Sequence, residues 1–368
     1  MIKPRHIRKA LACIRTGNFE HLRGHKKVVQ FVWPLACNLN CQMCHQKDIR
    51  RACEPELSVE QIKIMFKNFK LNGITQVNLI GGEFFINKKK AFEIIQALDD
   101  LKLMYSIGTN SALLTPDEIK DLSNRPGLLE IDISLDGFAV VHDKVRGVKG
   151  TFDKVVKNIK LMQSYGIPLM LVTVVQKDNL NDLPEFVKYV ASLKVDSLTF
   201  VQEFSFPQKD FTSTQKILEN ISKKDVTIFA STSVFPMTFK YDYELFKNKV
   251  NEAKRVAKEL NFTLNTSFEI ERGDANIFEY IYDMTARQTH NVACSELDNL
   301  NQIDWTGQKN VCPFIRVHGL KCGKISEGVK PDYFLNDKEV IDIVNKIKAQ
   351  NLLPMCTRCC ALKVINHK

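Results

Sequence analysis

Three cysteines fall within Cys37-Asn38-Leu39-Asn40-Cys41-Gln42-Met43-Cys44, directly after the apolar run Val28–Trp33. Disulfides closed across so short a stretch would constrain little of the unfolded chain. Three thiolates converging from one loop suit a metal instead, and can hold three corners of an iron–sulfur cube. Ordinary clusters take four cysteines; a set of three leaves one iron open, as catalytic metal sites require. A zinc site of Cys37, Cys41, Cys44 and His45, or buried thiols, are the alternatives at this point. A second constellation lies near the other end: Cys294-x12-Gly307-x4-Cys312, then Cys356-x2-Cys359. Two separated pairs meet the ligand count of a closed 4Fe–4S site, with a four-cysteine zinc site as the alternative. Cys322 or Cys360 could replace one of the four, while Cys13 and Cys53 read as small buried hydrophobes. Between the constellations stand Gly81-Gly82-Glu83, Thr109-Asn110, Ser134-Leu135-Asp136-Gly137 and the run from His142 through Arg146-Gly147 to Gly150-Thr151-Phe152. Paired glycines let a backbone pass close to a ligand, the Glu83 carboxylate can accept from an ammonium, and Arg146 can grip a carboxylate with two hydrogen bonds.

The elements that must position these groups alternate. Strands are expected at Lys27–Trp33, Gln76–Ile80, Met104–Thr109, Leu129–Ser134, Leu169–Val175 and Ser197–Val201. Helices are expected at Ser58–Phe69, Lys88–Leu101, from Thr115-Pro116-Asp117-Glu118 onward, Thr151–Tyr165 and Leu183–Leu193. Short connections between alternating strands and helices make a parallel sheet with right-handed crossovers. Six units are too few for the full barrel of about 250 residues, so the fold class expected is α/β, an open partial (β/α)6 TIM-like barrel. Active residues should gather at the carboxyl ends of its strands. The cysteine loop, Gly81-Gly82-Glu83, Asn110 and Ser134 all follow strands in this way. Residues 1–26 read as a basic helical extension whose apolar face is Ile2, Ile7, Leu11, Ile14 and Phe19, packed on the outside of the barrel at 27–205. Residues 206–290 form a connecting α/β segment, legible only as a helix at Tyr243–Leu260, with Val250, Ala253, Val256, Ala257 and Leu260 on one face, and a strand at Phe262–Phe268. Residues 291–368 form a cysteine-rich domain with a helix at Asp337–Asn351.

The cysteine spacing, with Gly81-Gly82-Glu83 after the second strand, resembles the signature of the radical SAM superfamily. The later cysteines resemble the auxiliary-cluster region of its SPASM/twitch-type subgroup. The resemblance implies a catalytic 4Fe–4S cluster on Cys37, Cys41 and Cys44, its open iron chelated by the amino and carboxylate groups of S-adenosylmethionine (SAM). One electron would then cleave SAM to a 5′-deoxyadenosyl radical that takes hydrogen from a substrate carbon. It implies SAM contacts at Gly81, Gly82, Glu83, Asn110, Ser134 and Arg146, with Met43 covering adenine where the family often has an aromatic. Phe84 stands where the family usually has proline. A full SPASM domain holds two auxiliary clusters; six cysteines in the last 75 residues favour one, a twitch-like domain on Cys294, Cys312, Cys356 and Cys359. A reducing partner such as flavodoxin or ferredoxin is implied.

Hydrophobic content of 44% and charged content of 26% suit a soluble globular protein. No apolar run approaches a membrane span, and no secretory signal is visible. Eleven clustered cysteines then argue for metal ligation in the cytoplasm over a disulfide framework. The formal charge of +10 could attract an anionic substrate, a precursor peptide or nucleic acid, but no aromatic-studded basic motif of an RNA-binding module is present. The substrate expected is a peptide or protein. The first alternative is a radical SAM dehydrogenase or epimerase of a sugar, aminocyclitol or other small metabolite. The second is a zinc-stabilised basic nucleic-acid-binding protein.

Overall fold

The computed structural model describes residues 4–17, 27–44, 46, 55–203, 208–228, 243–267, 290–294, 297, 302–318, 320, 338–358 and 362–367. The expectations for His45, Cys53, Cys322, Cys359 and Cys360 lie outside these residues. Strands β1 (Val28–Val32), β2 (Gln76–Ile80), β3 (Met104–Thr109), β4 (Leu128–Ser134), β5 (Leu169–Val175) and β6 (Ser197–Gln202) pair in sequence order, every pair parallel. Between them run α2 (Val59–Leu71), α3 (Lys88–Asp100), α4 (Pro116–Ser123), α5 (Ala139–Arg146), α6 (Thr151–Ser164), α7 (Lys177–Leu180) and α8 (Leu183–Ser192), with α1 (Pro4–Thr16) ahead of β1.

Local chemistry accounts for the boundaries. Ser58 and Gln61 form a reciprocal cap at the start of α2, and Thr115 and Glu118 do the same for α4, with Pro116 at its first position. Along β5 the residues alternate: Leu169, Leu171 and Val175 are buried, while Met170, Val172 and Val174 are only partly so and face the other way. The outer face packs against the helices and the inner face carries Met170, Val172 and Val174, so both faces of the strand are largely apolar and it reads as a continuous apolar run. On the outer face Phe31 meets Phe66 of α2 edge-on at 6.0 Å. Each such ring, fully buried, contributes roughly 1.5–3 kcal/mol.

Helix α5 was not expected. Phe138 offers its amino end no side-chain cap, and only His142 and Val145 are buried along it, so neither a start signal nor a full apolar stripe marks it. Helix α1 differs from the expected arrangement. Leu11 and Ile14 are exposed, whereas Ala12 and Cys13 are buried against Met104 and Leu129. Met104 shares a face of β3 with Ser106 and Gly108, the face turned away from the helices, so α1 packs at the amino end of the barrel's inner face. Small residues allow that close approach where larger ones would not.

The sheet continues at both edges. Beyond β6 lies β8 (Leu264–Thr266), parallel to it, following α10 (Tyr243–Glu259). Val250, Ala253, Val256 and Ala257 of α10 are buried as expected, but Leu260, just past its end, is exposed. Beyond β1 lie β10 (Gln302–Ile303), parallel, and β11 (Lys309–Asn310), antiparallel to β10. A second apolar core joins α9 (Gln208–Ser222), the antiparallel pair β7 (Val226–Ile228) and β12 (Ile315–Val317), and α11 (Lys338–Ala349). Strands β9 (His290–Cys294) and β13 (Leu362–His367) pair antiparallel.

Candidate active site

Strand β1 ends at Val32, but the chain stays alongside β2. Trp33 N donates to Ile80 O at 2.7 Å, Gly82 N to Pro34 O at 2.6 Å, and Glu83 N to Ala36 O at 2.8 Å. The two glycines make this approach possible. A Cβ on Gly81 would lie 2.5 Å from Pro34 O, and one on Gly82 would collide with Leu35 O and Ala36 O. The other side of the cysteine loop is held by the last turn of α5. Asn40 N donates to Arg146 O at 3.2 Å and Gln42 N to Val145 O at 2.9 Å. Gly147 closes that helix in the left-handed conformation (φ 72°) against Asn40 O. Within the loop, Leu39 N donates to Cys37 Sγ at 3.4 Å.

A cavity of about 390 Å³ opens over the carboxyl ends of the strands. Its wall includes Cys37, Cys41, Cys44 and Met43 from the loop, Ile80, Gly81 and Gly82 after β2, and Gly108, Thr109 and Asn110 at the end of β3. Asp132 and Ser134 from β4, Val172 and Val174 from β5, Val201 from β6, and Arg146 complete it. Strands β2 through β6 all face one space, so the sheet curves as a partial barrel must.

Arg146 is the electrostatic centre of this wall. Its Nε donates to Asp136 Oδ2 at 2.6 Å, and its Nη1 lies 3.7 Å from Cys41 Sγ. Asp136 is fully buried, and its Oδ1 accepts from Val174 N at 2.9 Å, so β5 fixes the carboxylate that fixes the guanidinium. Burial alone would lower the Arg146 pKa, but Asp136 and Cys41 outweigh it and hold the side chain charged. Burial pushes the Cys41 thiol up, opposed by Arg146. Behind the pair, burial pulls His142 down to about 4. Its Nδ1 accepts from Asp136 N at 3.2 Å, so the neutral ring carries its proton on Nε2.

Of the residues expected to contact SAM, Met43, Gly81, Gly82, Asn110, Ser134 and Arg146 line the cavity. Glu83 sits behind it, fully buried. Its Oε1 accepts from Phe85 N at 3.0 Å and Thr109 Oγ1 at 2.6 Å, and its Oε2 from Asn110 N at 2.8 Å. Burial raises its pKa and these three bonds resist the rise. In this arrangement Glu83 ties the end of β3 to the glycine turn. Asn110 in turn donates from Nδ2 to Asn38 Oδ1 at 2.9 Å, locking β3 to the cysteine loop. Cys294, Cys312 and Cys356 each pack against the second core and are not among the residues lining the cavity. Asp132 and the valines were not singled out from sequence. Asp132 stands two residues before Ser134, and period two alone puts it on the same face.

The donor set suits a cluster. Cys37, Cys41 and Cys44 share one cavity wall, with a cation beside Cys41 to balance thiolate charge.

Residues 33–190 match the Radical SAM superfamily's sequence profile. The chain is 29% identical over 178 residues to Fe-coproporphyrin III synthase of Methanosarcina barkeri, spanning 48% of this chain and 44% of that protein. It is 28% identical over 159 residues to the sporulation killing factor maturation protein SkfB of Bacillus subtilis, spanning 43% of this chain and 38% of that one. The chain thus spans less than half of these relatives. In fold it is similar to SuiB of Streptococcus suis, with a TM-score of 0.61 at 15% identity, covering 91% of this chain and 72% of SuiB. The match to SuiB bound to its precursor peptide SuiA has a TM-score of 0.54 at 14% identity, covering 87% of this chain and 65% of SuiB.

Proposed function

We propose that this chain, whose residues 33–190 match the Radical SAM superfamily, is a SPASM/twitch-type radical SAM enzyme that modifies a peptide or protein at an unactivated carbon. The observation that carries this reading is the single cavity that gathers Cys37, Cys41 and Cys44 with the glycine turn and the polar ends of β3 and β4. Those three thiolates would hold a 4Fe–4S cluster. Bound there, the cluster with SAM would supply one-electron reductive cleavage of SAM and, through it, hydrogen abstraction from substrate. The residues of the chain bind and orient. The turn at Gly81 and Gly82, with Asn110, Ser134 and Arg146, would seat the polar groups of SAM, and Met43 would cover adenine. Glu83 would act by holding Asn110 and the glycine turn in register. Val172, Val174 and Val201 keep water out. Cys294, Cys312, Cys356 and Cys359 would hold one auxiliary 4Fe–4S cluster, with Cys322 and Cys360 as the candidates to replace one of them, and a flavodoxin or ferredoxin would supply electrons.

The peptide assignment is supported by the names of SkfB, a maturation protein, and of SuiB bound to precursor peptide SuiA. Fe-coproporphyrin III synthase favours a second reading, a small-molecule substrate. No helix among the described residues is long and apolar enough to cross a membrane; action in the cytoplasm is part of the proposal.

The test is anaerobic. Purified protein should be brown, carry about eight irons if both clusters are of the 4Fe–4S type, and release 5′-deoxyadenosine from SAM on reduction. Cys41→Ala should abolish that release. Colourless protein with stoichiometric zinc and no SAM cleavage would overturn the reading.

A further inference from the structure

Asp132 is the one residue of the cavity wall whose chemistry the reading above leaves unused. It lies on the inner face of β4, two residues before Ser134 and so about 6.6 Å further from the loops, toward the middle of the strand. Its Oδ1 is shielded from solvent and has no hydrogen-bond partner. Glu130 stands on the same face two residues deeper, and on β6 the inner-face series Thr199, Val201 ends at Glu203. The titratable neighbours on this face are therefore acidic. Arg146 is the one cation among the residues lining the cavity, and it is already engaged by Asp136 and Cys41. Burial, with the charge of Glu130 beside it, pushes the Asp132 carboxyl up to about 8, and burial with Asp178 and Asp136 pushes Glu203 up to about 7. A shielded carboxyl oxygen without a partner costs stability. A ligand that brings the missing positive charge would remove that cost.

We propose that Asp132 is the substrate-recognition carboxyl of this cavity and that it takes an alkylammonium group, a primary amine at the end of a methylene stem. This rests on the reading that the cavity holds SAM and a substrate. The stem is assigned by what lies between Asp132 and the loops. Asp132 is in register with Gly108 of β3 and Met170 of β5. Val172, opposite Ser134, stands one step toward the loops, with Val174 and Val201 beyond it. Methylenes running from Asp132 toward the cavity mouth would pass this apolar surface. A guanidinium fork engages both oxygens of a carboxylate, whereas the atom that is shielded and unpartnered here is Oδ1, which one N–H of an ammonium can reach. A lysine side chain of a peptide has this chemistry. The position of Asp132 below Ser134 separates it from the loop-level groups that would seat SAM.

The experiment supplies reconstituted, reduced enzyme and SAM with perdeuterated n-butylammonium, or with perdeuterated 1-butanol as its neutral counterpart. Deuterium carried into 5′-deoxyadenosine marks the molecule that lay against the reacting carbon. Because the deuterium fraction is a ratio, it does not depend on how much 5′-deoxyadenosine forms. The wild type should take deuterium from the amine and little from the alcohol. Asp132→Asn should lower the amine-derived fraction about tenfold or more, the loss expected when a charged hydrogen bond is removed. Equal uptake from amine and alcohol, or a fraction unmoved in Asp132→Asn, overturns the proposal. So does a loss of SAM affinity in Asp132→Asn as large as the loss of deuterium, which would assign Asp132 to the SAM seat. No 5′-deoxyadenosine from the wild type would instead mark failure of the radical SAM reading. As a readout apart from turnover, n-butylammonium should raise the melting temperature of the reconstituted wild type above that in sodium at equal ionic strength, and should not do so in Asp132→Asn. An equal rise in both proteins also overturns the proposal.

Discussion

Arg146 and Asp136 form an ion pair at 2.6 Å, with Asp136 fully buried and the Arg146 side chain 11% exposed. Such a pair need not add to stability compared with apolar residues of the same size, but breaking it from one side leaves a charge stranded. Asp136→Asn is the sharp probe. The amide oxygen can keep the bond from Val174 N, which turns the amide NH2 toward the guanidinium, donor against donor. The variant is expected to lose roughly 3–5 kcal/mol of stability, read by urea unfolding. It should also retain less iron after reconstitution, because Arg146 would no longer be held beside Cys41. A loss below about 1 kcal/mol, with normal iron, would mean that the guanidinium finds another anchor.

At the scale of elements, the cysteine loop is positioned by two backbones, the turn after β2 and the last turn of α5. Glycine is required where backbone meets backbone. In Gly82→Ala the new Cβ would meet the carbonyls of Leu35 and Ala36. Neither is the end of a flexible side chain, so the loop and the turn must separate. Gly150, with φ 79°, has nothing within 4 Å of the place a Cβ would occupy. Gly150→Ala should therefore cost only the backbone term, about 1–2 kcal/mol, and keep its iron. Gly82→Ala should cost at least as much and lose the cluster of the cysteine loop, measured as iron per chain. Equal iron in the two variants would show that the loop tolerates displacement.

Across the whole molecule, the barrel and the second core exchange segments. The hairpin β10–β11, far along the chain, extends the sheet beside β1, while α9 and β7 leave the barrel to pack with β12 and α11. A buried ion pair at 2.9 Å, Asp304 with Arg316, ties β10 to β12, and the guanidinium lies 5.1 Å from the centre of the Trp305 ring. The cysteines proposed for the auxiliary cluster come from the ends of these exchanged pieces. Cys294 ends β9, Cys312 precedes β12, and Cys356 follows α11. Cys312→Ala is thus expected to lower the iron content from about eight to about four per chain, with the barrel cluster retained. Unchanged iron would remove Cys312 from the ligand set.

The amino-acid sequence by itself determined the order and type of the barrel elements, because period-two and period-3.6 patterns and reciprocal caps such as Ser58 with Gln61 are local properties of the chain. It also determined the three-cysteine spacing and, through the rule of strand carboxyl ends, which loops face one another. Only the tertiary structure decided what those side chains do on arrival. Glu83 is turned inward by Thr109, Phe85 and Asn110, and α1 buries Ala12 and Cys13 in place of Leu11 and Ile14. Asp132 lines the cavity with its Oδ1 shielded and without a hydrogen-bond partner. These outcomes depend on contacts between residues distant in sequence, and such contacts leave no periodicity in the chain from which to read them.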